Sequence, residues 1–192
     1  MKTTVVAALI IFSLLIFAGS AVAADINPKV VLETSKGKIV LELYPDNAPE
    51  TVKNFLNYVD AKFYDGMIFH RVIPKFMIQG GGFTADMKRK TTQAPIKNEA
   101  DKGLKNGRGT ISMARTGDPH SATAQFFINT VNNDFLNHSS KTQQGWGYTA
   151  FGKVIEGMKT VDAISAVKTK TVGGFRDVPA EPVIIQSARR LK

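Results

Sequence analysis

The sequence predicts a mainly β protein, a closed antiparallel barrel or a sandwich carrying two helices. Three observations lead there. Short apolar stretches recur about eight times, separated by turn residues. Only two stretches carry helical spacing. Strands and helices do not alternate regularly, which argues against a parallel doubly wound sheet. A barrel leaves no open edge, and two helices could plug its ends.

The elements follow in order. KVVLET (Lys29 to Thr34) and KIVLEL (Lys38 to Leu43) alternate apolar residues and are joined by Ser35-Lys36-Gly37, a hairpin. From Asp46 to Tyr64, Val52, Phe55, Leu56 and Val59 recur at helical spacing; Asp46 or Asn47 can cap, and Pro49 suits the first turn. Strand character returns from Gly66 to Ile73 and stops at Pro74. Lys75 to Gly80 is a short strand ended by glycine. Residues 83–109 are polar with little periodicity and read as loop. Gly109 to Arg115, Ala124 to Thr130 and Tyr148 to Ile155 are strands. Gly157 to Ser165 is a second helix, with Met158, Val161, Ala163 and Ile164 as its apolar residues. Residues 167–182 are turn-rich, and Val183 to Leu191 closes as a strand.

The first 23 residues read as a targeting segment. Lys2 supplies a positive start, Val5 to Ala18 is apolar except for Ser13, and Ala21-Val22-Ala23 suits signal peptidase. The run is short for a membrane span, although an uncleaved anchor is the alternative. Residues 24–192 are then one domain, long enough for a real core. No second stretch is apolar enough to cross a membrane. There is no cysteine, so disulfides, catalytic thiols and thiolate metal sites are excluded. The net charge of +9 is scattered, dense only at Met87 to Lys90 and Ala188 to Lys192. Without a basic helix or an RNA-binding signature, no nucleic-acid partner is predicted.

Side-chain alternation sorts the strand faces. Phe126 and Ile128 are core, while Gln125, Phe127 and Asn129 share the other face. Met77 and Gln79 oppose Ile78. Ile111 and Met113 are core-like, with Ser112 and Ala114 facing away. An outer face bearing Met77, Gln79, Gln125 and Phe127 is an apolar patch with placed hydrogen-bonding groups, as a ligand site is. The alternative is that Met77 and Phe127 pack under the loop at 83–109. Arg71, set among bulky apolar residues, is either a surface arginine near a strand end or a group with a dedicated partner. Other chemistries fail. His70, His120 and His138 lack metal-ligand spacing. His70, adjacent to Arg71, is expected on the opposite face as a hydrogen-bonded structural residue. No serine sits in a nucleophile elbow. Asp46, Glu50 and Glu99 show no acid/base pairing. Gly80 to Gly82 lack the lysine and hydroxyl of a phosphate loop and read as a tight turn or close backbone approach.

FHRVIPKFMIQGGGFT, ISMAR, SATAQFFINT, NDFLN and YTAFGKVIEGM stand in the order and spacing of a cyclophilin. The chain resembles that family over its whole mature length. IKNEADKGLKNGRGTISMAR and the signal segment are similar to the periplasmic members of Gram-negative bacteria. The resemblance implies an eight-stranded antiparallel barrel capped by two α-helices, with a substrate groove on its outer wall. It implies a peptidyl-prolyl cis-trans isomerase without cofactor or metal, acting on proline-containing segments of exported proteins as a monomer in the periplasm. A non-catalytic proline-binding chaperone or scaffold is the alternative. Carried over by position, Arg71 matches the catalytic arginine. Phe76, Met77, Phe127 and Leu136 match the proline pocket, and Gln79 and Gln125 the groove amides. Ala114 and Arg115 match the segment beside the bound peptide. Arg115 stands where many relatives have asparagine, Phe135 where eukaryotic cytosolic members have tryptophan, and Tyr148 where those have histidine. Phe135 lacks the indole N–H donor, which implies weak cyclosporin binding. Trp146, the sole tryptophan, lies two residues before Tyr148.

Overall fold

The computed structural model describes residues 27–191; the predicted signal segment, residues 1–23, lies outside them. Alternation in the first hairpin sets the pattern of the barrel. β1 (Lys29–Thr34) and β2 (Gly37–Leu43) place Val30 opposite Leu41 and Leu32 opposite Ile39. All four are buried in the main core, because residues two apart share a face. Gly37, at φ 125°, makes the turn.

The first helix, α1 (Pro49–Asp60), drives Phe55 into that core. Its ring lies 5.2 Å from those of Tyr64 and Phe151 and 5.7 Å from Phe126. Neither Asp46 nor Asn47 caps it; Ala48 holds the cap position without a side-chain bond. The cap comes from the distant loop. The buried Glu99 carboxylate accepts from the N–H groups of Glu50 (3.3 Å) and Thr51 (2.9 Å) and from the Thr51 hydroxyl (2.8 Å). A carboxylate there satisfies orphan donors and meets the positive end of the helix dipole. The helix stops at Asp60 and does not reach Tyr64, because Lys62 turns left-handed at φ 54°. The Phe63 N–H bonds Tyr58 O at 2.9 Å and the Lys62 N–H bonds Val59 O at 3.0 Å. The Tyr58 and Phe63 rings close this Schellman end at 4.6 Å.

The remaining elements are β3 (Met67–Ile73), β4 (Met77–Thr84), β5 (Thr110–Met113), β6 (Phe126–Asn129), β7 (Ala150–Glu156), α2 (Met158–Ser165), β8 (Thr169–Val172), β9 (Phe175–Pro179) and β10 (Ile185–Arg190). Eight strands form one antiparallel sheet in the order β10-β1-β2-β7-β5-β6-β4-β3. It curls until its edges meet. The Phe69 N–H bonds Val183 O and the Gly66 N–H bonds Ile185 O, each at 2.9 Å, beside an isolated bridge between Ile68 and Ile184. The barrel is thus nearly closed, its seam held by a few bonds and no full ladder. From α2, Val161 and Ile164 join the same core as Phe55.

Two segments depart from the sequence reading. Residues 167–182, read as turns, hold the hairpin β8–β9, with Gly173 and Gly174 at its tip, both at positive φ. β4 does not end at Gly80 but continues to Thr84. Close approach does explain the glycines. Gly81 has φ 75°, and a Cβ there would meet Tyr64 Cε1 at 2.9 Å and Ala124 O at 3.1 Å.

Opposite this segment β3 carries a bulge. Phe69 faces Gly80 and Arg71 faces Gln79, so β3 advances two residues while β4 advances one. The extra residue is His70. A bulge shifts side-chain parity. Phe69 and Val72 therefore both enter the core, while His70 and Arg71 both line a cleft outside it. Simple alternation put His70 on the opposite face from Arg71, and the bulge overturns that. Its buried Nδ1 has no hydrogen-bond partner, while the Ile68 backbone and the Gln125 side chain act on the ring as hydrogen-bond partners. Burial, helped by the nearby Arg71 and Arg89 charges, lowers its pKa to about 4.

Two stability predictions follow from these contacts. Glu99→Ala frees three donors at the start of α1 and lowers the unfolding free energy by about 2–3 kcal/mol, read from the urea midpoint; a loss under about 0.5 kcal/mol contradicts the capping role. Between pH 6.5 and 4 the unfolded chain protonates His70 and the native protein does not. This stability, about 3 kcal/mol, is therefore complete above pH about 6.5 and is lost as pH falls toward 4. An NMR titration of the His70 ring with a midpoint near 6.5 contradicts it.

Candidate functional site

The sheet register brings the site together. Arg71 on β3 pairs with Gln79 on β4, Gln79 with Phe127 on β6, and Phe127 with Ser112 on β5. These residues form one row across the outer wall, at roughly 4.8 Å per strand. Arg71 thus stands about 10 Å from Phe127, with an amide between them. The Gln79 amide donates to Gln125 Oε1 at 3.0 Å, which fixes both side chains.

Beside the row lies a second apolar cluster, separate from the main core. Met77, Phe127 and Leu136 are its buried centre, with Ile73, Phe76, Ala114 and Tyr148 packed around them. The Phe127 and Tyr148 rings meet edge-on at 5.7 Å. Met77 and Phe127 therefore do not pack beneath residues 83–109. They line an open cleft of about 600 Å³ together with Arg71, Gln79 and Gln125, a size usual for ligand clefts.

Ten of the eleven residues singled out from the sequence line this cleft: Arg71, Phe76, Met77, Gln79, Ala114, Arg115, Gln125, Phe127, Leu136 and Tyr148. Phe135 does not. It is 75% exposed and stacks on Phe76 at 5.7 Å, so it stands at the rim. Trp146 also lies away from the cleft, buried between His120 (4.9 Å) and His138 (5.3 Å).

Arg71 has an anionic neighbour that sequence reading missed. Its Nε lies 4.0 Å from the Asp177 carboxylate on β9, with both side chains nearly half exposed. Such a pair contributes at most about 1 kcal/mol. The guanidinium is aimed but lightly held. Asp177 takes left-handed backbone geometry, φ 61°, and the hairpin that carries it packs against β3. Arg115 is held differently. Its Nε donates to Gly147 O at 3.0 Å, one Nη donates to Thr116 O at 2.9 Å, and the guanidinium covers the Tyr148 ring at 4.6 Å. Gly82 leaves room for the opposite wall: a Cβ there would lie 2.7 Å from Gln125 Cδ and 2.8 Å from His70 Cε1. His70 is neutral in that wall above pH about 4.

Sequence reading also missed the scaffold behind the apolar cluster, a buried chain of asparagines. The Asn106 amide donates to Leu136 O and to Tyr148 O, each at 3.1 Å, and Ser112 Oγ donates to Asn106 Oδ1 at 2.7 Å. The Asn133 amide donates to Phe76 O at 2.9 Å and to Asn129 Oδ1 at 2.7 Å. Phe76, Leu136 and Tyr148 come from loops and a 3₁₀ turn, and these bonds hold their backbones against the sheet. The only sequence signal was the frequency of asparagine in polar segments, which also fits ordinary turns.

The arrangement offers an apolar hollow, amides for a peptide backbone, and a lightly held guanidinium, Arg71, at its edge. The described cleft contains no nucleophile paired with a base. Comparison with known proteins agrees with this picture. The family model for cyclophilin type peptidyl-prolyl cis-trans isomerase matches residues 29–190. A peptidyl-prolyl cis-trans isomerase of Streptomyces antibioticus is 63% identical over 162 residues, 84% of this chain and 98% of its own. Peptidyl-prolyl cis-trans isomerase A of Dickeya dadantii is 52% identical over 191 residues, covering 100% of this chain and 98% of its own. Isomerase B of Escherichia coli is 60% identical over 158 residues, 82% of this chain and 96% of its own. Among solved structures, a Cryptosporidium parvum cyclophilin type isomerase superposes with a TM-score of 0.71 at 27% identity, over 86% of this chain and 98% of that one. A structure from the same organism, solved in the presence of the dipeptide Ala-Pro, gives 0.70 at 27% identity over 85% and 99%. Barrel, cleft and relatives converge: the chain belongs to the cyclophilin-type peptidyl-prolyl cis-trans isomerases.

Proposed function

We propose that this protein isomerises X-Pro bonds of exported polypeptides by binding the twisted amide, with Arg71 as the catalytic group. The observation that carries the reading is the single cleft shared by the Arg71 guanidinium and the apolar hollow of Phe76, Met77, Phe127 and Leu136. An X-Pro bond interconverts over tens to hundreds of seconds, behind a barrier of ~18–20 kcal/mol set by amide resonance. A turnover of about 10 to 1,000 per second requires lowering that barrier by roughly 4–7 kcal/mol. No bond to carbon or hydrogen breaks, so preferential binding of the twisted state suffices.

In the twist the prolyl nitrogen regains its lone pair. A guanidinium stays charged and offers several rigid donors. Arg71, lightly held by Asp177 at 4.0 Å, can turn one donor to that nitrogen. A charge-assisted donor in a partly dry cleft contributes a few kcal/mol. The apolar hollow holds the pyrrolidine ring, and Gln79, already fixed by Gln125 at 3.0 Å, anchors a neighbouring carbonyl. The other half of the amide then rotates.

Export rests on the first 23 residues, whose charged start, apolar run and Ala21-Val22-Ala23 suit signal peptidase. The Dickeya dadantii relative aligns along that segment as well. On this reading the mature protein is a periplasmic monomer that assists folding. Cyclosporin binds it weakly, since Phe135 brings no N–H donor to the rim.

A protease-coupled assay on a proline peptide tests catalysis. Arg71→Ala lowers kcat/KM about 100-fold with the fold intact, and unchanged turnover by the folded variant removes Arg71 from the mechanism. Phe127→Ala opens the hollow and lowers kcat/KM about 10-fold or more, mainly through a raised KM; an unaltered specificity constant contradicts its part. Wild-type binding without any turnover leaves the holding role in place of the enzyme.

A further inference from the structure

The cleft has a further lobe walled by the β8–β9 hairpin (Gly174, Phe175, Arg176 and Asp177), apart from the residues proposed to hold the prolyl ring. Two of its arginines are exceptional. Arg108, Arg189 and Arg190 each pair with an aspartate at 2.5–2.8 Å, Arg115 bonds backbone carbonyls, and Arg71 faces Asp177. Arg89 and Arg176 alone, among the arginines described, have no hydrogen bond or ion pair; Arg89 only covers the Phe83 ring at 5.0 Å. Both line this cleft. Phe175, 41% exposed, lines it too and packs edge-on to Phe83 at 5.0 Å. Two unpaired arginines and a partly exposed ring thus line the same cleft, and the lobe's one carboxylate, Asp177, faces Arg71 at 4.0 Å.

We infer that this lobe is a second substrate subsite, formed by Arg89, Arg176 and Phe175, which takes an acidic side chain near the isomerised proline. The inference rests on the proposed isomerase reading and deepens it. Guanidinium groups match a carboxylate in geometry as well as charge, and Phe83 and Phe175 offer apolar contact to its methylenes. Because the subsite is open to solvent, its contribution is moderate and falls with salt.

The test compares matched peptides carrying Glu or Gln at each of three positions on either side of the proline. At about 20 mM salt one position shows a Glu-to-Gln ratio of kcat/KM of about five- to tenfold, which collapses toward one at about 0.5 M salt. It also collapses in Arg89→Gln/Arg176→Gln. It persists in Lys53→Gln/Lys159→Gln, which removes the same charge elsewhere. Ratios near one at every position in low salt, with the Gln peptides turned over normally, overturn the subsite and leave the isomerase reading standing. A preference that survives loss of both arginines, or vanishes equally in the lysine variant, overturns it too. Failure of the wild type to turn over any peptide defeats the isomerase reading itself.

Discussion

The site depends on one of the sheet's irregularities, the bulge at His70. Without it, Phe69 and Arg71 would share a face. Either a guanidinium would enter the aromatic core beside Phe126 or a phenylalanine would leave it. The bulge permits Phe69 inside and Arg71 outside within three residues. The three glycines opposite accommodate it, since β4 crosses this region against Tyr64 and Gln125 with no room for a Cβ at Gly81 or Gly82. The cost is a buried imidazole with an unpaired nitrogen, tolerated because the neutral ring demands far less solvation than the charged one.

The wall therefore separates two apolar clusters with different tasks. The inner one, built on Phe55 and Phe126, carries stability. The outer one, built on Met77, Phe127 and Leu136, is concave and open. Open apolar surface formed by loops would tend to collapse. Here buried asparagine amides fix the loop backbones, so the hollow exists before a ligand arrives. Preorganisation of this kind is what binding a strained amide requires. Arg71 at the edge, tied only to a half-exposed aspartate, completes the division between rigid hollow and adaptable donor.

Much of this was legible in the residues. Period-two alternation placed Phe126, Ile128, Ile78, Ile111 and Met113 inside and Met77, Gln79 and Phe127 outside, as found. Where alternation failed, at His70, the cause was a bulge, which inserts a residue without changing composition. Family likeness, not periodicity, gathered Phe76, Leu136 and Tyr148, because loop residues carry no period. Capping of α1 by Glu99 and the approach of Asp177 to Arg71 span 48 and 106 positions respectively. Such pairings arise only once the chain is closed. The β8–β9 hairpin hid behind turn residues, for its short strands are mostly exposed and lack an apolar face.

The central claim is that the hollow grips a prolyl ring while Arg71 addresses the prolyl nitrogen. A crystal structure with a bound proline peptide tests it most directly. The account predicts the ring among Phe76, Met77, Phe127 and Leu136, with an Arg71 nitrogen within about 3.5 Å of the prolyl amide. A ring seated elsewhere, or Arg71 still turned to Asp177 and away from the peptide, contradicts it.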